Sequence, residues 1–198
     1  MMLKTVCVFC GSQAGRRPEY EQATRELARV LLQNEVGLVY GGGHVGLMGA
    51  LADAMLAGGG RVTGVIPQHL MRPEVAHQDL TELVVVDSMH ARKRIMADRS
   101  DAFIVLPGGY GTLEEMFEMV TWLQLRLQSK PVGVMNVEGY FDALLRFLEH
   151  CAGEGFIRRT DWDLLIVEHA PALLFERLQR HASTVARTHP ASEARSWS

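Results

Sequence analysis

Ala102-Phe103-Ile104-Val105-Leu106-Pro107-Gly108-Gly109-Tyr110-Gly111-Thr112-Leu113-Glu114-Glu115 is the stretch that sets the architecture of this chain. Its five consecutive apolar residues read as a strand buried on both faces. A glycine-rich turn follows, and Leu113, Met116, Phe117 and Val120 then recur at helical spacing. Strand, glycine turn and helix start form the geometry in which bare backbone N–H groups surround a phosphate. Glu114 and Glu115 set carboxylates one turn from that anion site, which costs electrostatic energy unless chemistry uses them. Thr112-x-x-Glu115 is also a capping box, in which Thr112 caps the helix and Glu115 bonds back to it. Spacing leaves both roles of Glu115 open, capping and catalytic.

The same alternation runs along the whole chain. Strands are expected at Thr5–Phe9, Val36–Tyr40, Val62–Ile66, Glu82–Val86, Ala102–Leu106, Val132–Met135 and Leu164–Val167. Helices are expected at Pro18–Gln33, Leu47–Ala57, Met89–Arg99, Leu113–Gln128, Tyr140–Ala152 and Ala170–His181. Apolar strands separated by amphipathic helices predict an α/β fold: a Rossmann-like, doubly wound, mostly parallel open sheet with helices on both faces. Residues 1–181 read as a single domain, and the Ser-, Thr- and Arg-rich tail 182–198 as disordered. Ligands of such sheets sit at the carboxyl ends of the strands, here the loops Gly11–Gly15, Gly41–Gly46, Pro67–Thr81, Asp87–Ser88 and Pro107–Gly111.

Composition narrows the function classes. The 198 residues are 47% hydrophobic and 22% charged, ordinary globular values. A net charge of −3 argues against a general nucleic-acid or anionic-membrane binder. No apolar run is long enough for a membrane span, and Thr5–Cys10 is too short for a signal-peptide core. Three cysteines fit a reducing compartment, so a cytoplasmic protein is expected. Cys7 and Cys10 spell C-x-x-C, but three residues along a strand point to opposite faces, which argues against a shared metal or disulfide. The eight histidines show no ligand spacing, and no metal is expected.

Two further motifs accompany the opening one. Gly41-Gly42-Gly43-His44-Val45-Gly46 matches G-x-G-x-x-G, yet it follows the second strand, and no acidic residue ends the next. A phosphate or nucleotide contact fits it better than a dinucleotide cofactor; Gly11, Ser12, Gly42 and Gly43 are candidate additional contacts. In Met89-His90-Ala91-Arg92-Lys93-Arg94-Ile95-Met96, Arg92 lies on a partly apolar helical stripe while Arg94 points away. A guanidinium there needs a carboxylate, phosphate or carbonyl partner, with Asp87 and Asp101 as structural alternatives to a ligand.

Together these residues resemble the Lonely guy (LOG) family, the cytokinin riboside 5′-monophosphate phosphoribohydrolases. The family's P-G-G-x-G-T-x-x-E signature is matched at Pro107–Glu115, and its Met-His-x-Arg-Lys context at Met89–Lys93. The stretch Gly41–Gly49 resembles its early glycine loop, and similarity runs from about Lys4 to Val167. The resemblance implies hydrolysis of the N-glycosidic bond of an adenine-type nucleoside 5′-monophosphate, without a cofactor. It implies Arg92 and Glu115 as the catalytic pair. Gly108, Gly109, Tyr110, Gly111, Thr112, Leu113 and Glu114 would contact substrate, with Lys93, Glu74 and Thr121. A Glu115 pKa depressed by Arg92 and the helix N-terminus is expected to keep it ionised.

Such proteins have also been labelled lysine decarboxylases, a reaction that ordinarily needs pyridoxal phosphate on a lysine. Among Lys4, Lys93 and Lys130 only Lys93 lies at the expected site. A non-catalytic nucleotide or cofactor carrier, like the related molybdenum-cofactor carriers, is the alternative of a different class. Ribosyl transfer through a nucleophilic Glu115 is another. Family resemblance also implies a homodimer, with Leu113–Gln128 as the candidate interface helix through Trp122, Leu123, Leu125 and Leu127.

Overall fold

The computed structural model describes residues 2–72 and 76–188. Seven strands, β1 (Thr5–Phe9), β2 (Gly37–Tyr40), β3 (Val62–Pro67), β4 (Glu82–Val86), β5 (Ala102–Val105), β6 (Val132–Met135) and β7 (Leu165–Glu168), form one sheet. Every pairing is parallel, in the order β4-β3-β2-β1-β5-β6-β7. Among the described residues six α-helices accompany it: α1 (Pro18–Gln33), α2 (Gly46–Ala57), α3 (Met89–Asp98), α4 (Tyr110–Gln124), α5 (Asp142–Gly153) and α6 (Pro171–Thr188).

The strand sequences dictate the layering. Val6, Val8 and Cys10 enter one apolar cluster and Cys7 and Phe9 the other, because alternate strand residues face opposite ways. The first cluster is completed by α1, α2 and α6 through Leu27, Leu31, Leu51, Met55, Leu174 and Leu178. The second is completed by α3, α4 and α5 through Met96, Met116, Met119 and Leu145. A sheet covered on both faces explains why its inner strands are almost wholly apolar. Cys7 and Cys10 are free, buried thiols on the two sides.

The chain winds outward from β1 to β4, then returns to lay β5 against the other side of β1. The turns after β1 and β5 therefore meet at the switch point, where Gly11 N donates to Pro107 O at 3.0 Å. Arg92, from the helix between β4 and β5, reaches across to this end of the sheet by donating from Nε to Val65 O of β3 at 3.0 Å.

Three expected boundaries are corrected, the first being the end of α4, at Gln124 rather than Gln128, where Arg126 takes a positive φ of 58°. Helix α4 starts at Tyr110, three residues before the apolar stripe begins, because the glycine turn itself coils into its first turn. Helix α6 continues to Thr188, so 182–188 are helical where an unstructured tail was expected. Ala182 is buried in the α1, α2 and α6 cluster, the apolar contact that extends the helix. Residues 189–198, the rest of that expected tail, lie outside the described residues, as does Glu74.

Candidate active site

The site forms where three local structures converge. Helix α3 begins cleanly because Ser88 Oγ accepts the Ala91 N–H at 3.1 Å. Its inward face carries Arg92 and Lys93 toward α4, which presents Glu114, Glu115 and Glu118. Arg92 Nη1 lies 2.9 Å from Glu115 Oε1, and the two side chains are only 11% and 9% exposed. Neither Asp87 nor Asp101 is the partner of Arg92; Asp101 Oδ2 instead accepts the backbone N–H groups of Lys4 and Thr5. With Val65 O on Nε and Glu115 on Nη1, Arg92 is held at two points. Removing either member of a buried ion pair strands a charge, at about 3–5 kcal/mol.

Gly41 makes room for this guanidinium. A Cβ on Gly41 would stand 2.1 Å from Arg92 Nη2 and 3.3 Å from Met48 Sδ. The first glycine of the G-x-G-x-x-G stretch thus lets an arginine lie on the backbone. The others are engaged elsewhere: Gly42 O accepts the His77 N–H at 2.9 Å, and Gly43 bridges Ala76. The first N–H groups of α2, Leu47 and Met48, both turn to Gly11 O. Gly42 and Gly43 are buried beneath residues 76–77, Gly11 is buried in the switch-point turn, and Ser12 is exposed.

The α4 turn is built differently. Gly109 is the N-cap residue and supplies no side-chain bond, and the first intrahelical donor is Leu113 N to Gly109 O at 3.1 Å. The N–H groups of Tyr110, Gly111 and Thr112 precede that first bond, and a helix start leaves such donors for a ligand. A Cβ on Gly109 or Gly111 would meet nothing within 4 Å, so the helix entrance is open. Gly108, by contrast, is packed: a Cβ there would stand 2.1 Å from Thr112 Oγ1 and 2.9 Å from Gly11 N. Tyr140 Oη fixes the turn from outside by donating to Gly108 O at 2.6 Å, a contact no motif in the sequence announces. Tyr110 projects outward, 95% exposed, and Leu113 packs at the edge of the α3, α4 and α5 core.

The capping box is not formed. Thr112 lies inside the first turn, buried against Gly108, and Glu115 pairs with Arg92. Starting the helix at Tyr110 removes Thr112 from the N-cap position the box requires. The expected direction of the Glu115 pKa is also corrected. Burial raises it above its ordinary 4.5, and the opposing pull of Arg92 does not cancel this; Glu114 adds a further upward push.

Lys93 is buried and lies between Glu114 and Glu118, its Nζ 3.0 Å from Glu118 Oε2 and closer still to Glu114 Oε1. Burial acts against its charge, but these two carboxylates outweigh it and raise its pKa. Glu118 went unread in the sequence, although its spacing of four from Glu114 sets both on one side of α4. Thr121 is not brought to this centre. It is exposed and lines a separate, mainly apolar groove with Phe117, Gln124, Leu145 and Trp162.

An open helix N-terminus beside a buried Arg–Glu pair, at the switch point of a parallel sheet, is an arrangement suited to an anionic ligand and to acid–base work. The model of a family described as "possible lysine decarboxylase" matches residues 48–178. The chain is 44% identical over 194 residues to the cytokinin riboside 5′-monophosphate phosphoribohydrolase LOG1 of Arabidopsis thaliana, covering 98% of this chain and 90% of that one. It is 50% identical over 154 residues to LOG7 of the same plant, described likewise, covering 78% and 71%. The chain belongs to this family, the Lonely guy group. Its fold is also that of the molybdenum cofactor carrier protein of Chlamydomonas reinhardtii, with a TM-score of 0.68 at 20% identity over 91% of this chain and 98% of the other.

Among the described residues no group of three or more His, Cys, Asp or Glu is arranged to hold a metal ion. No helix among them is long and apolar enough to cross a membrane.

Proposed function

We propose that this protein hydrolyses the N-glycosidic bond of adenine-type nucleoside 5′-monophosphates, cytokinin riboside 5′-monophosphate or AMP, to free base and ribose 5-phosphate. The buried 2.9 Å Arg92–Glu115 pair beside the open α4 entrance is the observation that carries this reading. The 5′-phosphate binds the N–H groups around Gly109–Thr112, where the helix dipole favours an anion. That remote contact fixes the ribose near Glu115 and supplies binding energy for the chemical step. A water oxygen then attacks C1′, and the C1′–N bond breaks with its electron pair passing to the base, which is protonated from solvent, to which Glu115 later returns the proton it has taken. Glu115 accepts the water's proton and stabilises the positive charge developing on the ribose. A carboxylate with a raised pKa is the better base for that transfer, and the Arg92 charge beside it opposes the rise that burial causes.

Several observations weigh against the other readings. The amine of Lys93 is charged and enclosed by two carboxylates, so it is not a Schiff-base nucleophile. Lys130 donates to Ala97 O at 2.6 Å just before β6 starts, at the end of the sheet opposite the Gly109 turn. A carrier would not require both Arg92 and Glu115 beside the anion site. As an assembly we propose a homodimer through α4 and the turn that follows it, where Leu125 and Leu127 are 60% and 48% exposed, although Trp122 and Leu123 also pack within the monomer. The buried free thiols of Cys7 and Cys10 support a cytoplasmic location.

The test is incubation with AMP, isopentenyladenosine monophosphate and the two matching nucleosides, with free base followed by chromatography. Base release from a monophosphate, with little from its nucleoside, is expected. No release from either monophosphate would overturn the reading.

A further inference from the structure

Three carboxylates face two cations across the α3–α4 seam, and they are not equivalent. Glu115 belongs to Arg92. Glu114 and Glu118 share Lys93, but the Glu114 side chain is 53% exposed and that of Glu118 only 23%. The Glu114 contact is the tighter one. Glu118 Oε2 is buried and lies 3.0 Å from Lys93 Nζ, a second ion pair for the same ammonium and a less direct one than that of Glu114. A buried carboxylate oxygen without a hydrogen bond is costly unless a donor can turn toward it. The ammonium of Lys93 is that donor, with three N–H groups on a rotatable end.

Glu114 is adjacent to Glu115, in the helix turn that faces the proposed nucleotide site, and its carboxylate suits the paired hydroxyls of a ribose. It cannot serve them fully while bound to Lys93. Resting on the proposed nucleotide hydrolysis, we propose that Glu118 is a positioning residue: it takes over Lys93 when a ribose monophosphate draws Glu114 away. Lys93 then keeps a counter-ion throughout, and Glu114 becomes available as a ribose ligand. Without Glu118, releasing Glu114 would leave a buried ammonium unpaired, so the lysine would hold Glu114 back.

Two measurements test this together. In steady-state kinetics with the monophosphate that is turned over, Glu118→Gln raises KM about tenfold and changes kcat less than about threefold, since binding is impaired and the Arg92–Glu115 pair is intact. Glu118→Asp, which retains a carboxylate, recovers most of the lost affinity. Glu114→Gln also raises KM, and the double variant is no worse than Glu114→Gln alone, because Glu118 acts through Glu114. Kinetics like the wild type in Glu118→Gln, or losses that multiply in the double variant, would overturn the proposal.

The second readout is the side-chain nitrogen resonance of Lys93. The chain has only three lysines, so its signal is resolved with nitrogen-15 lysine labelling. Adding AMP to the wild type shifts it, and the shift is lost in Glu118→Gln. A wild type that turns over monophosphates while Lys93 stays unmoved removes this proposal alone. A wild type that turns over none removes the hydrolase reading, and this proposal with it.

Discussion

Replacing Gly41 with alanine is a sharp test of the geometry, because it introduces one methyl group against Arg92, the arginine proposed to be catalytic. The new Cβ would lie 2.1 Å from Arg92 Nη2, where ordinary contact begins near 3.4 Å, so the guanidinium must retreat by about 1.3 Å. Backbone strain does not enter, since the φ of Gly41 is outside the left-handed region. The clash falls on the far end of a flexible side chain, and swinging it off its rotamer costs about 1 kcal/mol. That corresponds to a fall of about 2–4 °C in Tm for a chain of this size. The catalytic effect is far larger. Arg92 shifts within its ion pair with Glu115, which stays closed, and a misplacement of about 1 Å costs on the order of 10²-fold, or about 2.7 kcal/mol in ΔG‡. The assay compares kcat/KM for monophosphate cleavage with Tm by calorimetry in wild type and Gly41→Ala. Near-native stability with about a hundredfold loss of kcat/KM is expected. Unchanged activity would refute the role given to Gly41, and a wholesale loss of stability would show that the glycine serves folding instead.

Other consequences can be checked separately. Activity requires ionised Glu115, whose pKa is raised, so kcat/KM falls as pH drops through a value above 4.5; Arg92→Gln moves that acid limb higher still, as read from pH–rate profiles. Gly109→Ala and Gly108→Ala should diverge: the first meets nothing, leaving Tm unchanged while KM rises, and the second collides with Thr112 and backbone Gly11, lowering Tm by several degrees or more. Native protein treated with a thiol reagent should lose only the Cys151 thiol rapidly, because burial pushes the Cys7 and Cys10 pKa values up; all three should react after denaturation. Rapid native labelling of Cys7 would contradict the closed packing around β1.

The layout of the sheet could be read from sequence because parallel strands buried on both sides must be continuously apolar, and each was separated from the next by a clear break or helical period. The Arg92–Glu115 partnership was anticipated from motif resemblance, while stripe geometry alone left Asp87 and Asp101 open as partners. What escaped was nonlocal. The start of α4 was misplaced because glycine carries a poor helix propensity, and Thr112-x-x-Glu115 imitates a capping box whose formation depends on where the helix begins. The Gly41–Gly46 stretch points to a phosphate or nucleotide contact in the sequence, whereas a glycine does not reveal which side chain will occupy the open face of Gly41. The sign of the Glu115 shift depends on how completely α3 and α4 exclude water, a tertiary quantity. Glu118 and Tyr140 lie outside the motifs, and only packing shows that one contacts Lys93 and the other Gly108.

In the proposed reaction Glu115, paired to Arg92, drives the bond cleavage. Single-turnover release of free base from bound monophosphate, in wild type and Glu115→Gln with nucleotide affinity measured alongside, tests it directly. The account predicts that Glu115→Gln binds AMP within about threefold of wild type and releases base at least about 10²-fold more slowly. Base release at the wild-type rate by a variant that binds normally would contradict it.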